Sequence, residues 1–396
     1  MTLLDRLIRD LDTRLAGADA ELAARYPGER GARQPVHTLY VPADRYRADT
    51  LASAGRAALA ALDRCAAALS AEADVRERVR AKLAAEPVED IRVDFEDGYG
   101  TRPDGEEDRA VRDAVAALGP ADRPPYYGIR IKSFEAATRA RGLRTLDLFV
   151  AEASRTGGLG DGFRVTLAKV TSVDQVEAMV FACACLEAEY GIAPLRFEIQ
   201  VETPQAVVGP DGSAQVARML HASEGRCTGL HYGTYDYSAA CGIAAAYQSM
   251  EHPVADHAKA VMQAAAAGTG VFVSDGSTNV LPVGDHAVSA WRLHARLVRR
   301  SLERGFYQGW DLHPAQLPSR YLATYAFFRR DAASAVERVR AYAYGGSSTH
   351  LDEPATAAAL AGFLLRGVEC GALDERELGI DGGLLHRLAR REGGQP

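Results

Sequence analysis

The residues with the most chemical potential are ionisable, and they fall at corresponding places along the chain. Asp94, Glu96 and Asp97 close the segment VDFEDG, Arg130 lies in GIRIKS, and Lys169 in LAKV. Glu202 follows in QVETP and Asp236 in HYGTYDYS. Asp275 ends VSDG, and Asp311 and His313 lie in WDLHPAQ. Each follows a short run rich in Val, Ile, Phe or Tyr, the composition of a buried parallel strand. A lone acid after a strand is often only an N-cap for the next helix. Caps do not need an arginine and a lysine converging on the same rim, so the set as a whole points to chemistry.

That chemistry can be specified. Opposed carboxylates suit a hard divalent cation, because magnesium takes a few carboxylate oxygens and completes its octahedron with water and substrate oxygens. Glu202 and Asp236, on consecutive strand ends, are the expected ligand pair for Mg²⁺, with Mn²⁺ as the alternative ion. Arg130 offers a planar fork for a substrate carboxylate. The loop of Gly233, Thr234 and Tyr235 offers backbone N–H groups to the same anion. His313 is placed at the rim of the same pocket. Together these residues describe a site for a 2-oxo or 2-hydroxy acid, with a Lewis-acid metal stabilising the enolate formed when a C–C bond breaks.

The elements that must hold these residues are β-type runs alternating with amphipathic ones. Eight β-type runs begin near His37, Glu89, Tyr126, Phe163, Leu195, Cys227, Gly270 and Phe306. Between them, segments such as RGLRTLDLFVAEASR and DHAVSAWRLHARLVRRSLERG repeat apolar residues at three- and four-residue steps. Alternation of this kind builds a mainly parallel sheet, and eight units favour a closed (β/α)₈ TIM barrel, an α/β fold. No G-x-G-x-x-G follows the first strand, which argues against a dinucleotide fold. The expected organisation is a helical N-terminal extension over 1–34, a barrel over 35–317 and a helical C-terminal region over 318–396 that packs on a neighbouring subunit.

With the motifs in view, the chain resembles the citrate lyase β-subunit-like proteins of the HpcH/HpaI aldolase superfamily, relatives of malyl-CoA and citramalyl-CoA lyases. The matches come in family order: LYVPA at Leu39–Ala43, VDFEDG at Val93–Gly98, GIRIKS at Gly128–Ser133, LAKV at Leu167–Val170 and VETPQAV at Val201–Val207. YGTYDYSAACG at Tyr232–Gly242, SDG at Ser274–Gly276, LHPAQ at Leu312–Gln316 and THLDEPATAAAL at Thr349–Leu360 continue it, covering roughly 37–367. Each motif is weak alone; nine in order are specific.

The resemblance implies roles. Glu202 and Asp236 match metal ligands, and Arg130 matches an arginine that grips the substrate carboxylate. Glu96 and Asp97 match acids that hold the metal's water, and Lys169 a lysine at the pocket rim. Asp352 matches an aspartate that reaches a neighbouring subunit's site as acid/base; its bland reading is an N-cap for PATAAALAGFLL. Homo-oligomers, trimers or their multiples, are implied. The chain departs from the pattern where Tyr235 precedes Asp236 in place of Glu, where Lys132 replaces Asn, and in its spacers at 104–125 and 208–226. These departures leave a CoA thioester and a free acid both open as substrate.

Other classes fare worse. The net charge of −7 and the lack of a Lys/Arg stripe exclude nucleic acid as the expected partner. No apolar stretch reaches the ~20 residues of a membrane span, and the charged N-terminus does not read as a signal peptide. Six scattered cysteines without CxxC spacing fit a reducing cytoplasm. Two other functions compete with a lyase or aldolase. One is a phosphoenolpyruvate or oxo-acid enzyme of another reaction type on the same barrel; the other is a non-catalytic acid-binding protein.

Overall fold

The computed structural model describes residues 2–28, 31–119, 123–345 and 352–390. Helix α1 (Leu3–Arg25) is opened by a capping box in which Thr2 and Asp5 satisfy each other's backbone N–H groups. The chain then enters β1 (His37–Pro42) and crosses through α2 (Thr50–Leu69) and α3 (Ala73–Ala85) to β2 (Asp90–Asp94). The next units are α4 (Asp104–Ala117) and β3 (Tyr126–Ile131), then α5 (Arg139–Arg155) and β4 (Phe163–Leu167). Helix α6 (Val173–Tyr190) leads to β5 (Phe197–Val201), and α7 (Pro204–Val207) with α8 (Gln215–Ala222) leads to β6 (Cys227–Tyr232). Helices α9 (Thr234–Ala240) and α10 (Pro253–Ala266) precede β7 (Phe272–Ser274), and α11 (Ala287–Glu303) precedes β8 (Gly309–Asp311). The chain ends with α12 (Leu317–Tyr344), α13 (Pro354–Glu369), α14 (Glu375–Leu378) and α15 (Gly382–Ala389). All eight strands fall inside the runs expected from sequence.

Every strand pairs in parallel with its sequence neighbour, and β8 pairs with β1. The remaining seam, between β7 and β8, is held by the Ser274–Gln308 bridge and by two backbone bonds, Asp275 N–H to Gln308 and Trp310 N–H to Gly276. The sheet is therefore a (β/α)₈ barrel. Strand parity divides its residues. Leu39, Ile91, Val93, Ile129, Val165 and Ile199 point outward and are buried against the helices, each contributing about 1.5–3 kcal/mol. The alternate residues point inward, and on β2 and β5 they are Asp90, Arg92, Asp94, Glu198 and Gln200.

The lower half of the interior is polar and paired. Arg92 bonds to Glu198 at 2.6 Å, to Thr166 at 3.0 Å and to Asp90. Thr38 joins Asp90 at 2.8 Å and accepts from Gln308 at 3.0 Å. The segment around Arg33 and Gln34 lies against this end, with Arg33 on Glu86 and Glu89 and Gln34 on Gln308 and the Val273 carbonyl.

Helix α12 packs on α2, α3 and α11 and closes the helical ring, so the ring draws on residues beyond 317. Helix α13 packs on α12 through Phe363 against Phe327 and Phe328. The spacers 104–125 and 208–226 hold α4 and α8. All six cysteines are free thiols. Among the described residues no helix is long and apolar enough to cross a membrane.

Candidate active site at the barrel mouth

Glu202 lies one residue past β5 and is only 2% exposed. Because Val201 pairs with Tyr232, the next residue on each strand meets, and Glu202 sits against Gly233. A Cβ at Gly233 would overlap the Glu202 side chain, so this approach needs glycine. Gly233 gives its N–H to the Val201 carbonyl at 3.1 Å, extending the ladder by one bond. It is thus a spacer rather than the anion donor expected from sequence.

Lys169 joins the acids together. Its ammonium lies 2.8 Å from Glu96, 2.7 Å from Asp97 and 3.6 Å from Asp236. Its backbone N–H donates to Glu202 at 2.8 Å. Lys169 holds a left-handed φ of 50°, a conformation that costs a non-glycine residue about 1–3 kcal/mol and that clusters at functional sites.

Arg130 comes from the inward face of β3. Its Nε and Nη2 donate to the two oxygens of Asp94 at 2.7 and 2.6 Å, and Nη1 lies 3.5 Å from Glu96. The fork expected to be open for substrate is therefore occupied on one edge. The edge formed by the two terminal nitrogens is the one directed away from Asp94. Tyr40 lies under the guanidinium, 5.0 Å from ring centre to Cζ.

Five carboxylates, those of Asp94, Glu96, Asp97, Glu202 and Asp236, thus share two cations, Arg130 and Lys169. The excess negative charge shows in the acids. Burial, with help from Asp236 and Glu96, pushes the Glu202 carboxyl up to about 7 against the pull of Lys169 and Arg130. Burial also raises Glu96. Asp97 is lowered, its partial burial outweighed by side-chain hydrogen bonding with Lys169 and Glu96 and by the charges of Lys169 and Arg130. Burial opposes the Lys169 ammonium, but Glu202, Glu96 and Asp97 outweigh it and hold the group protonated well above the usual lysine range.

The other expected site residues have hydrogen-bond or ion-pair partners of their own. Thr234 is buried and its Oγ1 accepts from Ser277 N–H at 3.3 Å. The Tyr235 hydroxyl accepts from Asn279 N–H at 2.7 Å, which ties the β6 loop to the β7 loop. His313 caps the turn Pro314–Gln316 by accepting from Ala315 N–H at 3.1 Å. Asp352 pairs with Arg338 of α12 in its own chain; Thr349–Leu351, which precede it in the motif, lie outside the described residues. Asp275 and Asp311 fall on outward parity. Asp275 is buried with Lys259 and Ser301, and Asp311 with Arg320, His294 and His37.

Sequence reasoning missed the Asp94–Arg130 pair and the Tyr40 platform. The signal was available in strand parity: in HTLYVP and VDFEDG the inward positions, Tyr40 and Asp94 among them, follow from counting by two along β1 and β2.

The fold is a (β/α)₈ barrel with an acid-rich, cation-bridged mouth at the C-terminal strand ends, a fold shared with a solved citrate lyase. The chain belongs to the family described as Domain of unknown function (DUF6986), whose model matches residues 15–392. Among solved structures it is similar to a citrate lyase from Burkholderia xenovorans LB400, at 18% identity and a TM-score of 0.60, over 88% of this chain and 96% of that one. A citrate lyase β subunit from M. tuberculosis complexed with oxaloacetate and magnesium aligns at 22% identity and a TM-score of 0.46, over 74% and 97%. A CitE protein from the same organism, with magnesium, acetoacetate and coenzyme A, aligns at 20% and 0.49, over 86% and 99%. No curated protein matches the chain in sequence.

Proposed function

We propose that this chain is a magnesium-dependent carbon–carbon lyase or aldolase acting on a 2-oxo or 2-hydroxy acid, as the free acid or within an acyl-CoA. The observation that carries the reading is the cluster at the mouth, where five carboxylates share two cations and Glu202 is pushed up to about 7.

The donor set fits a hard divalent ion. Among the described residues no three His, Cys, Asp or Glu side chains are grouped to enclose a metal. Magnesium does not need such a cage, since one or two carboxylates with water and substrate oxygens suffice. Glu202 and Asp236 would hold it, and its charge would offset the excess of acids. When bound, the ion supplies Lewis-acid stabilisation of the negative charge that develops on the substrate oxygen.

The remaining steps belong to the chain. The edge of Arg130 formed by its two terminal nitrogens receives the substrate carboxylate in competition with Glu96, and Asp94 and Tyr40 hold the guanidinium in place for it. A carboxylate of the cluster removes the substrate hydroxyl proton, and Glu96, raised by burial, is suited to receive it. The oxygen then forms a carbonyl as the C–C bond breaks, and the electron pair passes to the enolate of the departing fragment. Returning the proton to that carbon completes the cleavage, and the reverse sequence is condensation. Lys169, held protonated, keeps Asp97 charged beside the site.

The test is a panel of 2-hydroxy and 2-oxo acids and their CoA thioesters, incubated with Mg²⁺ and read by mass spectrometry for two fragments. Glu202→Gln and chelator should each abolish turnover while the circular dichroism stays unchanged. Full turnover in either condition, or binding of an acid with no cleavage or condensation product across the panel, would refute the reading.

A further inference from the structure

Helix α1 is unlike every other long helix of the chain, because none of its 23 residues is buried. At 1.5 Å per residue it is about 35 Å long. Its attachment lies at its C-terminal end, where the Tyr26 ring meets His221 and Gly28 N–H donates to Gly268. Its apolar residues are nonetheless ordered. Leu4, Ile8, Leu11, Leu15, Ala18 and Leu22 recur at alternating four- and three-residue steps, the seam of a coiled coil over nearly three heptads. The large ones among them are 49–64% exposed. A stripe of this regularity has no partner among the described residues of its own chain.

The charges beside the stripe say what the partner is. Asp5, Asp12 and Asp19 line one flank, and Leu7, Arg14 and Glu21 line the other. Two parallel copies in register set the second flank of one against the first flank of its mate, one heptad on. That places Arg14 opposite Asp19, in both directions, and Leu7 beside Asp12. An antiparallel pair sets the aspartate row against itself, which like charges oppose. A lipid surface is disfavoured as well, because helices that lie on membranes carry a lysine- and arginine-rich polar face. Here five acids (Asp5, Asp10, Asp12, Asp19, Glu21) stand against four arginines (Arg6, Arg9, Arg14, Arg25).

We propose that α1 is a self-association device: it pairs in parallel with α1 of a second copy of this chain, burying Ile8, Leu11, Leu15 and Leu22 in the seam and matching Arg14 with Asp19. The pairing joins barrels whose mouths play no part in it, so it stands independently of the reaction. Residue 18, on the seam, faces its own counterpart across the pair, whereas residue 16 points away.

The experiment uses the full chain. Ala18→Cys under mild oxidation should give a covalent dimer on a non-reducing gel, and Ala16→Cys and the unmodified chain should not. Adding Arg14→Asp to the Ala18→Cys chain should cut the dimer fraction several-fold, and adding Asp19→Arg as well should restore it. Leu11→Glu with Leu15→Glu should abolish it. None of these residues is buried, so circular dichroism and Tm of the barrel should be unchanged. Failure of Ala18→Cys to crosslink, equal crosslinking by Ala16→Cys, or loss of the dimer on adding anionic vesicles that then retain the chain would overturn the proposal.

Discussion

The backbone N–H of Lys169 donates to the carboxylate of Glu202 at 2.8 Å, and it does so from a left-handed φ of 50°. One residue therefore aims its amide at the proposed metal ligand and its ammonium at Glu96 and Asp97. Lys169→Gly keeps the backbone geometry without strain and removes one positive charge from among the acids. Mg²⁺ should bind this variant about tenfold more tightly, an effect of order 1.4 kcal/mol. Lys169→Val should lose about 1–3 kcal/mol of stability, because a β-branched residue resists positive φ. Calorimetric titration and thermal melts read both; weaker Mg²⁺ binding by Lys169→Gly would count against the electrostatic account.

The bidentate pair of Arg130 with Asp94 makes a second expectation. Lysine cannot span two carboxylate oxygens while presenting another edge to substrate. Arg130→Lys should raise KM for the acid and lower kcat/KM by 100-fold or more, with the fold retained. Arg130→Ala leaves Asp94, 2% exposed, as an unpaired buried charge, at about 3–5 kcal/mol. If Arg130→Lys turns over substrate at the original kcat/KM, Arg130 supports the barrel and does not bind the acid.

The barrel was legible in the sequence because its strands are buried on both faces and separated by periodic helices. Each of the eight runs carries that composition. The cluster of Glu96, Asp97, Lys169, Glu202 and Asp236 was legible because it lies at strand ends, where one rule places it. What failed was direction. Asp275 and Asp311 also end strands, but they sit on outward parity and bond to Lys259 of α10 and Arg320 of α12, on the helices next to those strands. The same holds for Arg130, whose fork is taken by Asp94 across the β2–β3 ladder. A single sequence shows which residues can ionise; register between strands decides which of them meet. The unburied α1 was read as a plain charged lead-in, since its stripe shows its meaning only when no surface of the chain covers it.

Gly233 offers a test of packing at the mouth. A methyl group there would overlap Glu202 Cβ and Oε2. Gly233→Ala should therefore push the carboxylate away from Lys169 and weaken Mg²⁺ binding at least tenfold, while the barrel, whose ladder bond from residue 233 to Val201 survives, melts within a few degrees of the parent. Unchanged Mg²⁺ binding would show that Glu202 is not a ligand.

Arg92 fills the barrel's lower interior, fully buried between Asp90, Glu198 and Thr166. Arg92→Leu would remove the cation and leave two buried acids facing each other. The expected cost is about 3–5 kcal/mol, read as a lower denaturant midpoint. Arg92→Leu combined with Asp90→Asn and Glu198→Gln removes the stranded charges and should recover most of that loss. A triple variant no more stable than the single one would place the cost in lost packing instead.

His294 contributes a pH dependence to stability. It is buried, bonded to Ser319 at 2.8 Å and facing Asp311 at 3.2 Å, with Arg320 beside it. Burial holds its imidazole below the ordinary value of 6.5, and Arg320 and His37 act in the same direction against the pull of Asp311. His313 is lowered by burial too. The unfolded chain therefore takes up protons near 6.5 that the folded chain refuses. Stability is full above that pH and falls as pH drops through it toward the folded values. Asp311, held well below the usual carboxylate range although burial opposes it, stays ionised throughout this window and adds no slope. Glu202, pushed up to about 7, takes up a proton in the folded chain over the same window and opposes this loss, so the histidine contribution is read in Glu202→Gln, whose Tm should fall by a few degrees between about pH 7.5 and about pH 5.5. In His294→Gln the chain should start less stable at the higher pH, because the bond to Ser319 is altered, yet lose less on acidification. A His294→Gln chain that acidifies with the parent's slope would move the proton uptake to another group.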